Sequence, residues 1–118
     1  MSRVLAKGNL VLINGNLSFR GEAVEGDFPP VTFLGRYIPE NTRVISEDAE
    51  IASDGPPLRE ILGRHRFKGP VLTDRIELHL DNGLIIRAKH DRPIVLPVLV
   101  EGEGNGCFGL CGPEAKSK

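Results

Sequence analysis

Two cysteines, Cys107 and Cys111, are the residues whose type and spacing most directly suggest chemistry. They are the only cysteines of the chain and lie in a glycine-rich segment, GEGNGCFGLCGP. A pair at this spacing can chelate a transition metal or close a reversible disulfide. Zinc sites usually have four protein ligands, so a metal site here would need a histidine or a second chain to complete it.

Histidine supplies the remaining candidate ligands, at His65, His79 and His90. We expect His79 to point outward from its strand, where a ligand could reach it. The candidate metal site therefore consists of Cys107, Cys111 and His79, with zinc or another transition metal as the ion. Two competing hypotheses are a redox pair of thiols, and cysteines that act only as small apolar side chains. Because the ligand set is incomplete, a protein without a cofactor is the first expectation.

A basic stretch, RHRFK at 64 to 68, is the second candidate for chemistry. Guanidinium groups bind carboxylates and phosphates through paired hydrogen bonds. The candidate ligand-binding residues are therefore Arg64, Arg66 and His79, and the expected ligand is a small anion at the mouth of a barrel. The alternative is that these cations follow a short helix, where the helix dipole favours positive charge.

The sequence contains none of the common catalytic motifs, such as a nucleophile elbow, a phosphate-binding loop or a zinc-protease helix. Asp74 and His90 come nearest to a catalytic pair, because the predicted second hairpin sets them opposite each other. Whether the protein is an enzyme stays open. A non-catalytic ligand-binding or accessory subunit is the first functional hypothesis. A metal- or thiol-dependent protein that uses Cys107 and Cys111 is the alternative.

Composition narrows the range of partners. Fifteen Lys and Arg residues balance 16 Asp and Glu residues for a net charge of -1, which gives no overall field to attract nucleic acid. Aromatic residues make up 5% of the chain, with no Trp to stack on bases. The longest apolar run, IVLPVLV, is far shorter than the about 20 residues of a membrane helix. We expect no nucleic-acid or membrane partner, a cytoplasmic location and reduced cysteines.

Two hairpins give the clearest structural prediction. The Asn-Gly dipeptide at 14 to 15 suits a two-residue type I′ turn, which pairs Leu12 with Leu17. In DRIELHLDNGLIIRAK, from 74 to 89, a three-residue turn that ends in a left-handed Gly83 keeps the apolar residues on one face. Both hairpins therefore have one apolar face that requires burial.

The remaining chain predicts further short strands and one helix. Strands are expected at 31 to 38, 42 to 52 and 94 to 101, and a short helix at about 56 to 63. The predicted fold is all-β, a small barrel or sandwich of about seven to eight short, mainly antiparallel strands with that one helix. Residues 1 to 101 should form a single β domain, followed by a glycine-rich tail from 102 to 118.

The predicted core consists of apolar residues that share the inner faces of these strands. The last strand is apolar on both faces, so a homo-oligomer is expected, in which another subunit covers the second face. The predicted core residues are Leu10, Leu12, Leu17, Phe19, Phe33, Ile76, Leu78, Leu80, Leu84, Ile86, Val95 and Val98.

Overall fold

A computed structural model describes residues 3 to 24, 26, 28 to 90 and 97 to 109. Within these residues eight antiparallel strands close into a barrel in the order β1-β2-β3-β8-β5-β6-β7-β4. The predicted all-β class is confirmed, and the architecture is a barrel. The strands are β1 (Arg3–Ile13), β2 (Asn16–Ala23), β3 (Val31–Ile38), β4 (Val44–Ser53), β5 (Gly63–Val71), β6 (Arg75–Leu80), β7 (Leu84–Lys89) and β8 (Val98–Phe108).

Both predicted hairpins form in the predicted register. In the first hairpin Leu12 pairs with Leu17, and Asn14 and Gly15 take φ angles of 54° and 84°. These positive angles are the ones that a type I′ turn requires. In the second hairpin Leu78 pairs with Ile86, and Gly83 has a φ of 99°. The choice of a three-residue turn from the apolar pattern is therefore confirmed.

Apolar side chains from the strands fill the inside of the barrel. Ten of the predicted core residues are buried, Val98 is half-buried and packs against them, and Val95 lies outside the described residues. Phe33 and Phe67 meet edge to face with ring centroids 6.0 Å apart. A small barrel filled in this way has its core where a larger barrel would hold a ligand.

The predicted helix is much shorter than expected. Leu58–Ile61 forms a single 3₁₀ turn, without the two α-helical turns predicted for 56 to 63. Pro57 before it and Leu62 after it are extended, and β5 already begins at Gly63. Within the described residues this turn is the only helical segment, and it is far too short to cross a bilayer.

Residues 63 to 71 form strand β5. This strand includes the basic stretch at 64 to 68, which the sequence analysis placed after a short helix. Its side chains alternate between the two faces of the barrel wall. Phe67 and Val71 are buried inside, whereas Arg64, Arg66 and Lys68 are exposed outside. This period of two places the basic residues on the outer wall of the barrel.

Strand β8 extends beyond the predicted domain end at residue 101. It runs to Phe108 and lies between β3 and β5, so residues 102 to 108 belong to the barrel and not to a tail. Its inner face carries Gly102, Gly104 and Gly106, and a Cβ on Gly102 would overlap the carbonyl oxygen of Arg36. Glycine lets the neighbouring strands approach closely at this curved part of the sheet.

Candidate functional site

A groove of about 720 Å³ crosses the outer wall of the barrel over four adjacent strands, β3, β8, β5 and β6. We call it the outer-wall groove. His79 and the exposed side chain of Ile38 belong to it, and charged residues form most of the rest. The charged residues on which the argument depends are Arg36, Arg66, Lys68, Asp81, Glu101 and Glu103.

Strand register arranges these charges in rows of alternating sign. Glu103 of β8 pairs with Arg36 of β3 on one side and with Arg66 of β5 on the other. Glu101, two residues earlier on β8, pairs with Lys68. Because outward residues of neighbouring antiparallel strands lie side by side, each carboxylate has a cation beside it.

The charged side chains of β3, β8 and β5 in the outer-wall groove remain separate despite this arrangement. Within the described residues, the two glutamates of β8 form no ion pair within 4.0 Å, and the same holds for the three cations Arg36, Arg66 and Lys68. Exposed charges without a neighbour in hydrogen-bond contact keep their full capacity for a ligand. The outer-wall groove therefore offers both donors and acceptors.

A smaller concavity of about 170 Å³ on the outer face of β4, β7 and β6 shows the contrast. There the charged side chains contact one another. Nε of Arg87 donates to Oε2 of Glu50 at 2.9 Å, and Lys89 lies 3.9 Å from Asp48. These contacts use the charges for cross-strand pairing within the chain.

Asp81 fixes one corner of the outer-wall groove. The backbone N–H of Arg66 donates to Oδ2 of Asp81 at 3.1 Å, and the backbone N–H of Asp81 donates to the Arg66 carbonyl at 2.9 Å. The hydrogen bond from the Arg66 N–H is the main cause of the lowered pKa of Asp81. The hydrogen bond and the charge of His65 lower this pKa further. The carboxylate therefore stays ionised while it holds the end of β6 against β5.

His65 supports that corner from inside the barrel wall. Its Nδ1 lies 3.2 Å from Oδ1 of Asp81, its Nε2 lies 3.0 Å from the Leu62 carbonyl oxygen, and its ring stacks near Phe33. With 12% of its side chain exposed, His65 acts as a structural clamp beside the outer-wall groove.

The predicted ligand-binding residues are only partly brought together. Arg66 and His79 both line the outer-wall groove, whereas Arg64 lies farther along β5, opposite Asn105, and does not line it. The predicted place at the barrel mouth is wrong for these residues, because β5 and β6 turn all three side chains outward. Nε2 of His79 lies 3.0 Å from Oε1 of Glu77, its neighbour on the outer wall.

Sequence reasoning missed Arg36, Glu101 and Glu103 as parts of the site. Glu103 was assigned to a tail, and Arg36 lies far from the other residues in sequence. The signal that could have found them is the alternation of glycine with polar residues from 102 to 107, which is typical of a strand whose inner face lacks side chains.

Two of the candidate metal ligands, Cys107 and His79, do not lie together. Cys107 is opposite Thr32 near the end of β8, whereas His79 aligns through Lys68 with Glu101, six residues earlier on the same strand. At the usual rise per residue this separation is about 20 Å. Cys107 is disulfide-bonded, which differs from the expected reduced thiol, and Cys111 lies outside the described residues. Within the described residues there is no group of three potential metal-binding side chains.

Asp74 and His90 meet through their backbones and not as a catalytic pair. The His90 N–H donates to the Asp74 carbonyl oxygen at 3.2 Å, as the predicted hairpin requires. The His90 ring instead places Nε2 3.0 Å from the Leu72 carbonyl oxygen. This contact orients the ring toward the turn between β5 and β6.

No protein family, no curated protein and no solved structure matches this chain.

Proposed function

We propose that the protein is a non-catalytic binding protein whose ligand occupies the outer-wall groove. One observation supports this most directly: Glu101 and Glu103 alternate with Arg36, Arg66 and Lys68 along the strand register, and none of these five side chains forms an ion pair among the described residues. In the neighbouring concavity on β4, β7 and β6, similar residues are paired. The difference favours an external partner for the charges of the groove.

The ligand should carry both positive and negative groups. A purely anionic ligand that reached Arg36 or Arg66 would also meet Glu103, which lies between them. Like charges placed together oppose binding, so the earlier expectation of a small anion fits the groove less well than a ligand of mixed charge. A peptide segment with alternating Lys and Glu side chains has the required chemistry.

Ile38 adds an apolar contact to the same site. It projects from β3 beside Glu101 and is 57% exposed, which is high for a large apolar side chain. Burying it against the ligand would add a hydrophobic contribution of about 1 kcal/mol or more to binding. A ligand with an aliphatic side chain next to its charges therefore fits best.

Fluorescence anisotropy of a labelled peptide tests this function. A short peptide of alternating Lys and Glu should bind the wild type more tightly than an all-Glu peptide of the same length. The double variant E101Q/E103Q should weaken binding of the alternating peptide and strengthen binding of the all-Glu peptide, because it removes only carboxylates.

A matched control is E22Q/E47Q, which removes two exposed carboxylates from β2 and β4, away from the groove. This control should bind both peptides like the wild type. The proposal fails if E101Q/E103Q and E22Q/E47Q give the same affinities, or if the wild type does not distinguish the two peptides.

A further inference from the structure

We infer that the partner at this face is a second copy of the same chain, docked about a two-fold axis that runs parallel to the strands between β5 and β8. The inference rests on the proposed binding function, because it uses the charges of the same outer-wall groove. It names the partner and the orientation, which the proposed function leaves open.

The strand register makes this face complementary to itself. A two-fold axis between β5 and β8 places each outward residue of β8 against the residue of the partner's β5 that is at the same level. Glu103 then faces the partner's Arg66, and Glu101 faces the partner's Lys68. Symmetry repeats each contact, so the pairs of opposite charge form four ion pairs across the interface.

The outer strands of the face follow the same rule. β3 is on the same side as the partner's β6, which sets Arg36 toward the partner's Asp81, since Asp81 is hydrogen-bonded to the Arg66 backbone at the level of Glu103. These charges are opposite, but the wall of the closed barrel curves away from the axis here, so they attract across a wider gap than Glu103 and the partner's Arg66. Ile38 is on the side of the partner's His79 in the next row.

An apolar contact closes one end of the interface. Leu99 pairs with Pro70 in the β5–β8 register, so the axis sets Leu99 of each copy against the partner's Pro70. Leu99 is 59% exposed in the single chain. Docking removes this side chain and Ile38 from water.

Neighbouring axes give poorer complementarity. An axis between β5 and β6 would place Lys68 against the partner's His79, which gives the ammonium no acceptor carboxylate. An axis between β3 and β8 would oppose Arg36 to the partner's Glu103, but it would also place Ile38 against the partner's Glu101 and desolvate a carboxylate on an alkyl chain. The β5–β8 axis is therefore the one that the charges and the apolar residues favour together.

The size of the face predicts a weak dimer. Four strands at the usual spacing, over the seven residues from Arg64 to Pro70, cover about 20 Å by 20 Å. This area of about 400 Å² is about half of the roughly 800 Å² that each partner of a stable dimer buries, and it is typical of weak, transient contacts. A dissociation constant in the micromolar range or weaker follows, with strong dependence on salt because the ion pairs are exposed.

Sedimentation equilibrium from about 10 μM to about 1 mM tests the inference. The variants E103R and R66E should each dimerise at least about tenfold more weakly than the wild type, because each creates two like-charge contacts between copies. An equimolar mixture of E103R and R66E should restore dimerisation, since the mixed dimer again has opposite charges at both contacts.

The mixture distinguishes contact between copies from contact within one chain. Glu103 and Arg66 are cross-strand neighbours in the same barrel, so each single variant also places like charges side by side in its own copy. Mixing does not change that local repulsion, and recovery therefore requires an intermolecular contact. Circular dichroism of each variant checks that the barrel is folded. The double variant E103R/R66E, which keeps opposite charges within the chain, should dimerise like the wild type.

Lys7 and Glu22 provide the control, since they form a cross-strand pair on the outer face of β1 and β2. The variants K7E and E22K should dimerise like the wild type, alone and mixed. A wild type that stays monomeric at 1 mM, or a mixture of E103R and R66E that dimerises no better than the single variants, would overturn the inference. If the monomer still binds the alternating peptide by anisotropy, the proposed binding function stands while the second copy is rejected.

Discussion

Glu103 lies directly opposite Arg66 in the pairing of β8 with β5, yet no ion pair joins them within the described residues. Glu50 and Arg87 are also direct cross-strand neighbours on the outer wall, and their side chains are in hydrogen-bond contact at 2.9 Å. The same pair of residue types is therefore closed at one place in the barrel and open at another. The closed pair joins β4 to β7, and the open pair carries the proposed binding function.

The two pairs should contribute differently to stability. E50Q should lower the free energy of unfolding by roughly 0.5 to 1 kcal/mol, because Arg87 loses the charge of a half-buried partner. E103Q should change it by about 0.3 kcal/mol or less, because the exposed glutamate has no contact to lose. Urea denaturation of both variants beside the wild type measures the difference, and equal losses would show that the pairs are equivalent.

Tyr37, the single tyrosine of the sequence, should titrate at unusually high pH. Its hydroxyl donates to the Thr42 carbonyl at 2.5 Å. Burial raises the pKa of Tyr37 above its usual value, and the nearby Glu40 carboxylate raises it further. The near-ultraviolet absorbance of tyrosinate, followed against pH, should therefore rise at higher pH in the folded protein than in urea.

The raised pKa of Tyr37 also has a consequence for stability. The buried, protonated hydroxyl of Tyr37 contributes to the free energy of unfolding. This contribution is fully present below the unfolded pKa of about 10 and is lost as pH rises through the folded pKa. Y37F should therefore remove this alkaline loss and, by deleting a buried hydrogen bond, cost about 1 kcal/mol at neutral pH. The same absorbance midpoint in folded and unfolded protein would contradict both statements.

Asp81 should make stability depend on pH in the acid range. Its pKa is lowered in the folded protein, chiefly by the Arg66 N–H, so its contribution is present above the unfolded pKa of about 3.9 and is lost as pH falls through the folded value. D81N should reduce the loss of thermal stability below about pH 4. D48N, which removes an exposed carboxylate outside this network, should keep the wild-type dependence.

Gly102 should not tolerate a side chain. A Cβ at this position would overlap the Arg36 carbonyl oxygen and crowd the Tyr37 backbone, so G102A should lower the free energy of unfolding by about 1 to 3 kcal/mol or prevent closure of β8 against β3. Gly55 has nothing within 4 Å of the corresponding position, and G55A is the matched control. Chemical denaturation of both variants compares the two sites, and equal stability would argue against a tightly closed strand at Gly102.

The parts of the fold that the sequence predicted are those where side-chain pattern and turn chemistry agree. Leu12 opposite Leu17 and Leu78 opposite Ile86 follow from apolar alternation around turns with positive φ angles. These local signals do not depend on the rest of the chain. They were sufficient for an all-β class and for most of the core.

The missed parts depend on long-range contacts. β8 has glycines on its inner face, so its burial comes from neighbours such as Phe33 and Phe67, and no apolar period marks it in the sequence. β5 was not predicted as a strand, because its outward-facing Arg and Lys side chains resemble the basic residues that are common at the end of a helix. The outer-wall groove joins β5 to β8, whose part beyond the predicted strand at 94 to 101 was not expected, and sequence reasoning therefore found Arg66 and His79 without the glutamates of β8.

The central claim is that the outer wall over β3, β8, β5 and β6 is the binding surface. Amide proton–nitrogen correlation NMR spectra, recorded while the alternating Lys and Glu peptide is added, test it most directly. The amide signals of Arg36, Lys68, Glu101 and Glu103 should shift progressively, while those of Lys7 and Glu22 on β1 and β2, outside the groove, should stay in place. Shifts confined to β1, β2, β4 or β7, or no shifts with peptide in large excess, would contradict the account.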